Sequence, residues 1–146
     1  IQQIVALAAF LPVLTGQAGN TGCQALAVTL RAMALNELKP GMEGGLLRKE
    51  ALFGISNGIL VGITAACAML AYALVSGSPE PLLLAGVILV AMLGSCAAAG
   101  VSGVMIPLVL RRAGADPATV STIFLTTATD VVSMGAMLGL ASMWMF

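Results

Sequence analysis

Four apolar stretches, at about residues 4–35, 46–75, 81–110 and 117–146, make up most of this chain, with only short polar breaks between them. At ~1.5 Å rise per residue, each can cross ~30 Å of hydrocarbon as a tilted helix. Within hydrocarbon every backbone N–H and C=O needs a partner in the protein, which leaves the helix and the closed barrel as spanning structures. A lipid-facing barrel requires strictly alternating polarity and aromatic girdles. Neither pattern is present, and aromatics are only 4% of residues. The chain is 60% hydrophobic and 8% charged, against ~25% charged in soluble domains. The expected fold is an all-α integral membrane protein, with residues 1–146 forming a bundle of four transmembrane helices.

Charge orients that bundle. All six Lys and Arg residues (Arg31, Lys39, Arg48, Lys49, Arg111 and Arg112) lie in or beside the first and third connections, and none lies near Ser76 to Pro81. By the positive-inside rule the two basic connections are cytoplasmic. This reading gives a multi-pass protein of the cell (inner) membrane, embedded in the lipid bilayer with both ends of the chain on the outer side. An outer amino end with no basic flank at Ile1 adds an expectation: at least one spanning helix, and any cytosolic regulatory region before it, lies upstream. The breaks carry their own turn chemistry. Pro40 and Gly41 interrupt the first, and Asp116 followed by Pro117 supplies a cap and a first-turn proline for the last helix. A formal net charge of zero disfavours nucleic acid as a partner.

Asp130 is the charged side chain deepest inside an apolar stretch. A helix from Pro117 holds it ~20 Å from one end and ~24 Å from the other, near mid-membrane. Insertion scales put the penalty there at ~2.5–3.5 kcal/mol, and such residues face a bundle interior or a water-filled path and handle ions or protons. Thr119, Thr122, Thr126, Thr129, Asp130 and Ser133 recur at helical spacing, so one polar stripe is expected to lead to the carboxylate. The opposite side is expected to carry Ile123, Phe124, Leu125, Val131 and Val132. The bland alternative is a set of hydroxyls bonded back to their own helix.

The first stretch places Pro12, Gly16, Gln17, Gly19, Asn20, Gly22 and Gln24 in an apolar run, with Gly16, Asn20 and Gln24 on one face. Glycines and an internal proline predict a loosened helix with exposed carbonyls, tolerated at depth where protein or water surrounds it. Amide and carbonyl oxygens beside a carboxylate suit a hard cation; a plain glycine-rich helix crossing is the alternative. Gly54, Gly58 and Gly62, and likewise Ser95, Ala99 and Gly103, predict close helix packing of the small-xxx-small kind. Cys23, Cys67 and Cys96 fall singly on three stretches and the chain has no His. They are expected to be small core residues, and zinc, copper or iron sites are disfavoured.

Several of these elements together resemble the pore domain of the MgtE magnesium channel family. They are Pro12 through Gln24 with its Gly19-Asn20-Thr21-Gly22-Cys23-Gln24 element, Arg31, Arg48 to Glu50, Pro107 through Pro117, and Thr129-Asp130-Val131. The resemblance covers nearly the whole chain. It implies a homodimeric Mg2+ channel with five spanning helices per subunit, of which the four stretches here correspond to helices two to five. It also implies that the last-helix aspartate, matched by Asp130, binds hydrated Mg2+ together with its symmetry mate. The chain departs at Ala18, where the family's usual motif has Gly, and at Thr122, where some members have Asn.

Mg2+ sheds water reluctantly and demands octahedral oxygen coordination, so one carboxylate per subunit suits an ion held through retained waters. The expected ion-binding residues are Asp130 first, then Asn20 and Gly19, then Thr126. Mg2+ is the transported ion, with other divalent cations as candidates. An enzyme is disfavoured, because Asp130 has no His, Cys or second deep carboxylate to share acid-base work. Two alternatives remain: a proton- or sodium-coupled secondary transporter, and a noncatalytic helical subunit whose Asp130 pairs with a partner helix.

Overall fold

The chain folds into four α-helices: α1 (Gln2–Ala34), α2 (Glu43–Val75), α3 (Pro81–Arg112) and α4 (Pro117–Met145). The computed structural model describes residues 2–39 and 41–145. Pro40, the expected chain breaker, lies outside the described residues, as do the terminal Ile1 and Phe146. No strand occurs among the described residues, in keeping with the expected all-helical architecture. By length and composition α2, α3 and α4 can each cross a membrane. α1 is as long as α2, at 33 residues, but Thr15, Gln17, Asn20, Thr21 and Gln24 interrupt its apolar run.

Three of the helices end by the same device. Asn36 (φ +53°), Gly77 (φ +67°) and Gly114 (φ +79°) each take the left-handed conformation just past a helix. The next amide then reaches back to the last turn, from Glu37 to the Ala32 carbonyl, from Ser78 to Ala73 and from Ala115 to Leu110, at 2.9–3.0 Å. This Schellman arrangement satisfies carbonyls that would otherwise be orphaned, and Gly or Asn adopts it at least cost. The start of α4 follows the sequence expectation, with the Asp116 carboxylate accepting from the Ala118 amide at 3.0 Å.

α3 is the central helix. It packs against all three others, α1 also packs on α4, and α1 and α2 scarcely touch. Both glycine seams work as the sequence implies. A Cβ at Gly54 would run into the Cys96 carbonyl, and one at Gly58 would come within 3.0 Å of Leu93 Cα. The second seam, Ser95, Ala99 and Gly103, is buried on a different face of α3, with Gly103 against Gly22 and Ala25 of α1. Without side chains between them the backbones approach closely, which drives helix association in lipid, where the hydrophobic effect does not. Leu14, Met69, Ile88, Met92 and Met137 fill the remaining core.

Two expectations are corrected here. α1 runs unbroken through Pro12 and its glycines, because packing along its length outweighs the weak local propensity. The Thr15 hydroxyl caps the Leu11 carbonyl at 3.1 Å beside that proline. Of the three cysteines only Cys96 is a core residue; Cys23 and Cys67 are exposed on the outer surface of the bundle.

Candidate functional site

α4 turns one i+4 ridge into the bundle: Ser121, Leu125, Thr129, Ser133, Met137 and Ala141 are all buried. The neighbouring ridge, Thr122, Thr126 and Asp130, is exposed. The single polar stripe expected from sequence is therefore two. Thr129 and Ser133 face the protein and hydrogen bond to their own helix, at the Thr126 and Thr129 carbonyls. Leu125 is in the core as well, away from the exposed Ile123, Phe124, Val131 and Val132 with which sequence grouped it. Hydroxyls that bond back onto the helix need no partner on α3, and the bland alternative describes Thr129 and Ser133.

The exposed ridge is an acceptor surface. The Thr126 hydroxyl donates to the Thr122 and Ile123 carbonyls, each at 3.1 Å, which leaves its oxygen lone pairs directed outward. An ionised Asp130 carboxylate can only accept. Metal-bound waters donate hydrogen bonds, so this ridge suits a hydrated cation, and it offers no soft ligand for a stripped transition metal.

α1 and α4 run antiparallel. Leu7 and Leu11 border Met137 and Ser142, Gly22 faces Leu125, and Arg31 lies by Asp116 and Pro117. In this register Asp130 is level with Gln17 to Gly19, and Asn20 falls between the levels of Asp130 and Thr126. Asn20 is exposed and Gly19 half-buried, and nothing lies within 4 Å of where a Gly19 Cβ would be. The four expected ion-binding residues thus share one depth on two neighbouring helices, although no hydrogen bond links them among the described residues. Among the described residues no three or more Asp, Glu, Cys or His side chains converge on a metal position. A single chain therefore presents one carboxylate and its polar surroundings.

All the basic side chains lie at one end of the bundle, as the connections require. There the Arg112 guanidinium pairs with the Glu43 carboxylate and so ties the end of α3 to the start of α2. Sequence reasoning passed over a second polar cluster, between α1 and α2. The Asn57 amide donates to the Thr21 hydroxyl at 2.6 Å, and Thr21 in turn reaches the Gln17 carbonyl and the Cys96 sulfur. Beside it Glu50 is buried. The available signal was its spacing, four residues before Gly54 on the same ridge.

Several known proteins are similar to this chain. Residues 11–140 match the MgtE family, described as "Divalent cation transporter". The chain is similar to a protein named "Magnesium transporter MgtE" from Enterococcus faecalis, 36% identical over 95% of this chain and 29% of the relative. It is also similar to proteins of the same name from Thermus thermophilus, 34% identical over 92% of this chain and 28% of the relative, and from Bacillus subtilis, 33% identical over 97% and 30%. The chain spans less than a third of the length of these relatives. On the family match and these identities, this membrane-spanning helical chain belongs to the MgtE family of divalent cation transporters.

Proposed function

We propose that this chain conducts Mg2+ across the cell membrane as half of a homodimer, with the hydrated ion held between Asp130 and its copy in the second chain. One observation carries the reading: Asp130 is exposed on the outer ridge of α4, at mid-helix, and points away from its own bundle. A carboxylate facing lipid at that depth costs at least ~2.5–3.5 kcal/mol. A second chain across a water-filled path removes the penalty, and two carboxylates then favour a divalent ion over a monovalent one. Asn20, Gly19 and Thr126 accept from the ion's retained waters. The names carried by the relatives, which span far more than this chain, support magnesium as the cargo.

With the basic connections in the cytoplasm, both ends of the chain are on the outer side. The inside-negative potential drives entry, worth ~2.3 kcal/mol per charge per 100 mV and twice that for a divalent ion. The test is Mg2+ uptake into proteoliposomes by the whole protein and by its Asp130→Asn and Asp130→Ala variants. Uptake should collapse while the dimer persists in size-exclusion chromatography. Undiminished flux would remove Asp130 from the path. A reversal potential that follows the proton or sodium gradient would replace the channel by a coupled transporter.

A further inference from the structure

A cleft of about 470 Å³ separates α1 from α2 on the side of the basic connections, and Glu50 lies in its wall. Glu50 is only 7% exposed. It sits seven residues into α2, ~10 Å from the helix start. Its backbone is clamped on α3, where the Glu50 carbonyl occupies the place that a Cβ on Gly100 would need. Neither Glu50 nor α2 can turn away from the cleft without opening that seam.

Among the described residues the Glu50 carboxylate makes no hydrogen bond and no ion pair, the one ion pair being Arg112 with Glu43. Its oxygens are not sealed off either, because the buried side-chain atoms without partners are the Ser95 and Ser121 hydroxyls. The carboxylate therefore touches the cleft. Thr21, Gln24, Ser56 and Asn57 bring neutral oxygen and amide groups to the same space, beside the apolar Val28, Phe53 and Leu60. Lys49 also borders the cleft, but consecutive helical residues point ~100° apart, and Lys49 is exposed. The carboxylate thus faces the cleft with no counter-charge bonded to it, and a cation in the cleft would supply one.

We propose that the α1–α2 cleft is a second cation site, separate from Asp130, where the Glu50 carboxylate holds a hydrated divalent cation entering from the basic end. The donor set is hard oxygen with no thiolate or imidazole, which suits Mg2+ or Mn2+. One carboxylate cannot strip the ion, so Gln24 and Asn57 act on its water shell. An occupied cleft ties α1, the helix that carries Asn20, to α2, which it otherwise barely contacts.

The site does not depend on the Asp130 reading, and the experiment keeps the two apart. Mn2+ bound to the purified whole protein is counted by electron paramagnetic resonance in an Asp130→Asn background, with Mg2+ as competitor. Adding Glu50→Gln should remove one Mn2+ per chain. Gln24→Leu and Asn57→Leu, which keep the carboxylate, should each weaken that ion by ~10-fold or more, and they decide the matter if Glu50→Gln does not fold. Lys49→Gln should leave the count unchanged. An unchanged Mn2+ count in Glu50→Gln, or unchanged affinity in both amide variants, overturns the site. So does displacement of the ion by phosphatidylethanolamine vesicles alone, which would make a lipid ammonium the occupant.

Discussion

Replacing Gly103 with alanine tests whether backbone contact between α1 and α3 holds the bundle together. A Cβ there would stand 2.6 Å from the Gly22 carbonyl oxygen, 2.7 Å from the Ala25 Cβ and 2.9 Å from the Leu26 amide nitrogen. Ordinary carbon contacts lie at ~3.5–4.0 Å, so the two helices must part by about 1 Å. Overpacking of this kind costs ~1–3 kcal/mol, and with backbone on the far side nothing yields cheaply, which argues for the upper end. Alanine's better helix propensity returns ~1 kcal/mol, for a net loss of about 2 kcal/mol. On the same helix, nothing lies within 4 Å of a Cβ at Gly94, so Gly94→Ala should gain ~0.5–1 kcal/mol. Unfolding both variants in mixed micelles by stepwise addition of sodium dodecyl sulfate, followed by far-ultraviolet circular dichroism, measures the difference. Equal stability of Gly103→Ala and Gly94→Ala would refute the packing argument.

The remaining expectations concern single contacts. Cys23 shares the outward face of α1 with Asn20, so a membrane-impermeant thiol reagent should modify it; Cys67, exposed among Leu60 and Ile63 on α2, should yield only to apolar reagents, and Cys96 only after unfolding. If Cys23 resists while Cys67 reacts in water, the α1 face does not border an aqueous path. Asp116→Ala removes the cap at the start of α4 and should cost ~1 kcal/mol in the same micelle titration. Arg112→Gln breaks a pair whose side chains are 69% and 36% exposed and should cost under ~1 kcal/mol. Asn57→Leu removes the amide that donates to Thr21 and should cost ~0.5–1.5 kcal/mol, because the Thr21 hydroxyl keeps its bond to the Gln17 carbonyl.

The helical class, the four helices, their connections and the end that gathers the basic charge are all legible along the chain. Each of these follows from local chemistry. Long apolar runs must satisfy their backbone internally, Asp116-Pro117 starts a helix, and Asn36, Gly77 and Gly114 end one. The glycine seams were legible for the same reason, since four-residue spacing places Gly54, Gly58 and Gly62 on one face whatever they meet. Tertiary structure alone decided which way each face points. Thr126 and Thr129 look equivalent along the chain, yet the rotation of α4 against α3 buries one and exposes the other. It decided that α1 stays helical through Pro12, because neighbouring helices supply the order that its residues lack. Lastly it decided that Glu50, by sequence one more charge near a basic connection, is buried beside a cleft. Periodicity defines a helix's faces, but only packing against other helices determines which of them meets protein, lipid or water.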